Sequence, residues 1–459
     1  MHEKSFGAVV LAPSPFSADP RHWAWSGFLA EKGFSVLNVE VLDQGLDARK
    51  TKGAEYQGEI LSMFSNRVSS HSEVAMWSEV ASLESQSLLG KFLKRRLLRQ
   101  LDAVTVEIWG DNTPSVVIAN DLAGAVLALA RWGGSGSHIV YDAQEVFTDS
   151  YDMLDGPRLT DTERASWIKL ETEVCKQVDA VVTVSPGIAS LYEVRHNVHA
   201  TVVPNFAPLK ECKSRGAFRT ELPVRFVFIG RADPNRGLEE LVSRWDFPAE
   251  IATLDMIVAH SPARGRLIQL AATKRRTHSG PQFREPVEPA EMIETLSSYD
   301  IGILPYKYRY PYSHASPNKF GDYLAAGLPV LANNQEFVTE VVLSHEVGRV
   351  FDWSVDGSFE SGVLGLADRA LLDSLQQNVL VQTSESLNWD NRVEEFWTAF
   401  NNRCPIGVNN EGVRLSSYHL AHRATLFASL RTVLSMSVMG FVQRHGVVLA
   451  GLLRRKKRI

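Results

Sequence analysis

Cysteine is scarce in this chain: 459 residues hold only Cys175, Cys212 and Cys404, with no C-x-x-C pair and no histidine cluster near them. A disulfide framework and a structural zinc site are therefore not expected, and a reducing compartment suits the composition. The N-terminus lacks the basic, apolar and small-residue succession of a secretory leader, because residues 5–13 read as a first strand. Long apolar runs are missing too. The longest charge-free one near the C-terminus, residues 432–442, is too short for a hydrocarbon layer of ~30 Å. There is no G-x-G-x-x-G, so a tightly bound dinucleotide is not indicated. Finally, no acidic residue follows Glu411, whereas nine basic ones do, from Arg414 to Arg458. The overall −5 thus combines a tail at +9 with a body near −14.

What is present points to a globular α/β protein. Hydrophobic residues make up 44% and charged residues 22%, and the length calls for two or three domains. Apolar runs of strand length recur at residues 8–12, 35–39, 115–119, 138–142 and 180–184, with helical stretches between them. Strand–loop–helix–strand spacing of this kind is the βαβ unit, whose ligand loops lie at the carboxyl ends of the strands. A second series begins at residues 225–231 and continues at 254–259, 300–306 and 330–332. The expected division is 1–207, 220–386, a helical segment at 387–403, and a basic apolar tail at 404–459. Residues 91–99 (KFLKRRLLR) form a basic amphipathic segment, suited either to an anionic membrane surface or to core packing with a solvated basic face.

Residues 316–332, SPNKFGDYLAAGLPVLA, carry the most information. Pro317 fits the start of a helix, Gly327 the left-handed position after its last turn, and Val330 to Ala332 a buried strand. The exposed N–H groups of such a helix start attract anions. Lys319 in the first turn opposes the helix dipole, which points to service for a ligand such as a phosphate. Asp322 has the chemistry to accept hydrogen bonds from vicinal hydroxyls. An ordinary helix–strand unit would use the same punctuation.

This stretch resembles the donor-site segment of the GT-B glycosyltransferases, especially the retaining enzymes of glycosyltransferase family 4, which reads P-x-K-x-x-E-Y-L-A-x-G-x-P-V. Asp322 stands where the family has the second glutamate of its E-x7-E motif, and His314 where it has the first. The segment from Gly230-Arg231 to Arg236 is similar to the family's V-G-R…K-G loop, whose cations grip the donor diphosphate; arginine at 236 keeps that chemistry. Asp19-Pro20-Arg21 resembles the acceptor-side first loop. Asp121, Asp142 and Glu145 match acidic positions of the family's H-x-H-D and D-x-H-E segments, with Asn120 and Gln144 replacing histidines. The resemblance covers about residues 7–402.

It implies a GT-B fold of two Rossmann-like domains facing a cleft, followed here by a basic helical tail. Donor-binding residues would be Arg231, Arg236, Val287, His314, Ser316, Pro317, Asn318, Lys319 and Asp322. Asp19, Arg21, Asp142 and Glu145 would lie on the acceptor side, with Arg231, Arg236 and Asp121 catalytic. No metal or cofactor is expected, since the arginines stabilise the leaving group and no D-x-D pair stands nearby. The implied reaction is hexosyl transfer with retention, from a UDP- or GDP-linked sugar to a glycan or lipid-linked acceptor. A degenerate accessory protein that binds such ligands, or a nucleotide-sugar epimerase, would share these motifs. The tail reads as interfacial helices or as a partner-binding segment. A cytoplasmic location at the inner face of a membrane follows from the first reading. Nucleic acid is not an expected partner, because the body is acidic.

Overall fold

Val9, Val10 and Leu11 are almost fully buried in the first strand of a parallel sheet, as their unbroken apolar run requires. The computed structural model describes residues 7–12, 19–40, 60–62, 113–151, 161–212, 221–233, 236–273, 277–310 and 312–406. The basic segment 91–99 and the tail from 407 onward lie outside the described residues. Contacts divide the chain into two units. One comprises Met1–Thr183, Ala189–Thr201 and Thr398–Ile459; the other comprises Val184–Ile188 and Val202–Trp397.

The first unit contains β1 (Gly7–Ala12), α1 (Pro20–Glu31), β2 (Ser35–Glu40), β3 (Ile60–Ser62), β4 (Val116–Asn120), α2 (Asp121–Trp132), β5 (His138–Ala143), α3 (Phe147–Tyr151), α4 (Asp161–Gln177) and β6 (Ala180–Thr183). It is followed in the chain by α5 (Pro186–His196) and β7 (Ala200–Val202). The sheet order is β3-β2-β1-β4-β5-β6-β7, and every pairing from β3 to β6 is parallel. Helix α1 begins at Pro20, a few residues before the apolar pattern starts. Asp19 caps it, its carboxylate accepting from the Arg21 N–H at 2.9 Å, and proline takes the first turn. In α4, Glu171 is fully buried and accepts from the hydroxyls of Tyr141 at 2.9 Å and Tyr192 at 2.5 Å. That carboxylate ties α4 to β5 and α5, an architectural role.

The second unit adds β8 (Val224–Gly230), α6 (Leu238–Arg244), β9 (Ala252–Val258), α7 (Pro262–Thr273), β10 (Gln282–Arg284), α8 (Met292–Leu296), β11 (Ile301–Leu304), α9 (Asn318–Ala325), β12 (Val330–Asn333), α10 (Glu336–Ser344) and β13 (Gly348–Phe351). Three further helices follow: α11 (Ser358–Leu366), α12 (Arg369–Glu385) and α13 (Trp389–Arg403). Its sheet is parallel throughout, in the order β10-β9-β8-β11-β12-β13. Both sheets are doubly wound. Chain order reverses between β1 and β4 in one and between β8 and β11 in the other, and such switch points open a crevice at the strands' carboxyl ends.

The second crevice is built in detail. Strands β8 and β11 pair only through Ile301–Phe226 and Gly302–Val227. Beyond that point Tyr323 of α9 fills the split: its hydroxyl accepts from the Ile229 N–H at 3.1 Å and donates to the Ile303 carbonyl at 3.3 Å. Gly302 makes room for this ring, since a Cβ there would lie 2.3 Å from Tyr323 Cγ. Helix α9 ends as its sequence suggests. Gly327 adopts φ 76°, and the N–H groups of Gly327 and Leu328 donate to the carbonyls of Leu324 and Tyr323.

Candidate functional site

In the first unit, acidic side chains gather at the carboxyl ends of β4 and β5. Asp121 follows β4 directly and adopts φ 56°, a left-handed conformation that aspartate tolerates better than most residues. Burial pushes its carboxyl up to about 8, reinforced by the charges of Glu145, Asp19 and Asp142, while Arg21 acts in the opposite sense. These five residues, all expected from the sequence, therefore share one electrostatic neighbourhood. A carboxyl that stays protonated near neutrality can donate a hydrogen bond and, when ionised, accept a proton.

Arg21 and Asp142 form a clamp within that group. Arg21 Nε and Nη2 each lie 2.7 Å from an oxygen of Asp142, and both side chains are inaccessible. Trp25 Nε1 donates to the same carboxylate at 2.8 Å. The fork geometry and burial fix α1 against β5, so the pair shapes the site through position. Glu145 is exposed, whereas Asn120 is buried and donates its amide to the Leu11 carbonyl at 3.1 Å. Asn120 thus bridges β4 to β1 at the switch point.

In the second unit, Arg231 and Arg236 flank the loop after β8. Arg236 Nε donates to Asp233 Oδ2 at 3.0 Å, and Arg231 Nε lies 3.9 Å from the same oxygen. Arg236 Nη1 also donates to the Tyr306 hydroxyl at 2.6 Å, and its guanidinium stands 5.0 Å from the Tyr306 ring centroid. Arg231 is the accessible one, with 78% of its side chain exposed against 28% for Arg236. Across the switch point, Lys319 Nζ on α9 donates to Asp322 Oδ2 at 2.8 Å and lies 3.1 Å from Met292 Sδ. Tyr323, next to Asp322, is the residue that locks α9 to the ends of β8 and β11.

The other expected donor-side residues fall around this helix. Pro317 is the N-cap and Asn318 opens α9. Ser316 is buried, its hydroxyl and carbonyl both accepting from Asn205. Val287, after β10, is half-buried against the core of the second unit. His314 Nδ1 lies 2.7 Å from Glu336 Oε2, and the other oxygen of Glu336 accepts from the Tyr308 hydroxyl at 2.9 Å. A cavity of about 450 Å³ adjoins this group, lined among others by Glu240, Lys307, Tyr308, Asn334 and Trp353. Lys307 and Glu240 pair across its wall at 2.7 Å.

Two residues here escaped sequence reasoning: Asp233 and Glu336. Asp233 lies within an expected ligand loop and could have been named as an anion held between two arginines. Glu336 meets Tyr308 and His314, which are far from it in the chain.

Two doubly wound, parallel units of this kind in one chain constitute the GT-B fold. No family model matches the sequence, and no curated protein matches it. Solved structures do. A sucrose-phosphate synthase from Thermosynechococcus elongatus is 13% identical, with a TM-score of 0.64 over 86% of this chain and 99% of its own. The Anabaena protein HepE, solved with UDP and glucose, is 10% identical, with a TM-score of 0.60 over 86% and 99%. A glycosyltransferase from Rickettsia africae is 10% identical, with a TM-score of 0.58 over 87% and 98%.

Proposed function

We propose that this protein is a retaining glycosyltransferase that moves a hexosyl unit from a UDP- or GDP-sugar to a glycan or lipid-linked acceptor. The observation that carries this reading is the convergence at the β8/β11 switch point. Two arginines follow β8, and a helix bearing Lys319 and Asp322 is anchored in the same split. The neighbour solved with UDP and glucose supports a nucleotide-sugar donor.

In this reading Arg231 and Arg236 exchange Asp233 for the diphosphate and stabilise the charge that develops on it as the glycosidic bond breaks. The free N–H groups at the start of α9 and Lys319 add to that positive field. Asp322 receives the ribose hydroxyls, and the backbone around Val287 borders the base. Glu336, held by Tyr308 and His314, faces the hexosyl moiety and stands in for the carboxylate that position 314 lacks. The first unit binds the acceptor; Asp121, when ionised, takes the proton of the attacking hydroxyl. The basic tail carries the enzyme to an anionic membrane surface.

Incubation of the full chain with a panel of UDP- and GDP-sugars, followed by measurement of released nucleotide, tests this directly. Donor hydrolysis with one sugar and retained configuration in the product support the proposal. Nucleotide binding without any turnover would support the accessory-protein reading, which the replacement of histidines by Asn120 and Gln144 favours.

A further inference from the structure

At the opposite end of β5 from Asp142, three metal-ligating side chains from separate segments come together. His138 opens β5, Asp179 immediately precedes β6, and Cys404 follows α13; all belong to the first unit. One ligand atom from each lies within 4.8 Å of the others. His138 and Asp142 are four residues apart on one strand, roughly 13 Å at the usual rise, so this cluster is not part of the acceptor site.

The local structure holds two of these ligands in place. Asp179 Oδ2 accepts from the Ile139 N–H at 2.8 Å, and the Asp179 N–H donates to the Ile139 carbonyl at 2.8 Å. Its other oxygen, Oδ1, is directed at His138 Nδ1, 3.3 Å away. The His138 ring is supported edge-on by Phe400, one turn before Cys404, with centroids 6.1 Å apart. Outer contacts of this sort set the orientation of ligands at metal sites.

The spacing suits a small tetrahedral ion. Bonds of about 2.0–2.1 Å to nitrogen and oxygen give a tetrahedral edge of about 3.3 Å, the separation already present between His138 and Asp179. Cys404 needs a shift of about 1 Å or less to complete the third corner, within reach of a side chain at a helix end. Imidazole, carboxylate and thiolate together select a borderline-soft divalent ion rather than magnesium or calcium. We infer that His138, Asp179 and Cys404 form a zinc site of three protein ligands with an open fourth position for water. Zinc forms its bond to the Cys404 sulfur as the thiol proton passes to solvent. The ion ties the end of α13, where the basic stretch begins, to the first sheet.

The test uses full-length protein, reduced with a phosphine, stripped by a chelator, and titrated with zinc against a chromophoric competitor and separately with cobalt. One equivalent should bind, cobalt should show a thiolate charge-transfer band, and Cys404→Ser and His138→Ala should each weaken binding at least tenfold. Cys212→Ser should change nothing. Should Cys404→Ser fail to fold, zinc protection of Cys404 from alkylation in the wild type, mapped by mass spectrometry, supplies the reading. Absence of the cobalt band, equal zinc binding by wild type and Cys404→Ser, or unprotected Cys404 overturns the assignment. None of these readouts depends on sugar transfer.

Discussion

Arg236 is held by Asp233 through a 3.0 Å hydrogen bond from its Nε, and the same carboxylate lies 3.9 Å from Arg231. Under the proposed function, Asp233 would have to yield this position to the donor diphosphate. Its removal has a direction. Asp233→Asn should tighten binding of nucleoside diphosphate severalfold at low salt, since a half-exposed pair contributes about 1 kcal/mol or less. Calorimetry with UDP and GDP measures this; unchanged or weaker binding would mean that Asp233 orients the arginines and does not compete with the ligand.

Arg231 offers a cleaner test of the chemistry because its side chain is largely exposed. Arg231→Ala should leave the melting temperature within a degree or two and lower turnover about a hundredfold, the equivalent of roughly 3 kcal/mol lost from the transition state. A variant as active as the wild type removes this residue from the mechanism.

Asp121 governs pH dependence in two ways. Its carboxyl is raised to about 8 in the folded protein, so between about pH 4 and 8 the folded state keeps a proton that the unfolded chain has released. Stability from this group therefore falls as pH rises across that window, by about 1.4 kcal/mol per unit at most. Asp121→Asn should flatten the fall, measured as urea midpoints at pH 5 and pH 8. If Asp121 is the base, the wild-type rate should also climb toward pH 8 and the variant's should not; a climb of equal size in both would falsify that role.

The Arg21–Asp142 clamp is structural. Breaking a buried pair from one side leaves an uncompensated charge, and Arg21→Ala or Asp142→Ala should each cost about 3–5 kcal/mol. Denaturant unfolding reports it. A loss below about 1 kcal/mol in both variants would show that water or a neighbouring group takes over.

Membrane attraction can be separated from catalysis by truncation. With nine basic residues and no acidic one after Glu411, full-length protein should sediment with anionic liposomes, and salt should weaken that binding without abolishing it. A chain ending at residue 406 keeps Cys404 and should no longer sediment, while still using a water-soluble acceptor analogue. Identical sedimentation of the two would deprive a lipid-linked acceptor of its main support.

Much of the fold was legible because its central strands are buried on both faces and read as unbroken apolar runs, as in residues 8–12 and 330–332. The strands without such a run are short and lie at sheet edges: Ile60–Ser62, Ala200–Val202, Gln282–Arg284 and Gly348–Phe351. Gln282 and Arg284 are exposed, so no hydrophobic period marks that strand. Helix α1 begins at Pro20, three residues before Trp23 opens its apolar pattern, because Asp19 and Pro20 supply the cap and first turn. At the candidate site, the motif residues Arg231, Arg236, Lys319 and Asp322 could be named because they are close in sequence to glycine and proline punctuation. Glu336 could not, and neither could the contact between Arg236 and Tyr306. Arg236 meets Tyr306 70 residues away, and only the folding of β8 beside β11 joins them. Glu336 opens α10, and nothing in its local sequence points to His314.

The pairing of Lys319 with Asp322 means that the helix start carries its own counter-ion. A nucleotide that takes up both side chains displaces one partner from the other and releases few small ions from solution. The salt sensitivity of nucleotide affinity should consequently be shallow for a ligand with two phosphates, far shallower than that of the membrane attraction. Under the proposed function, such an enzyme would keep its grip on a charged donor as ionic strength changes, while its hold on a membrane surface would rise and fall.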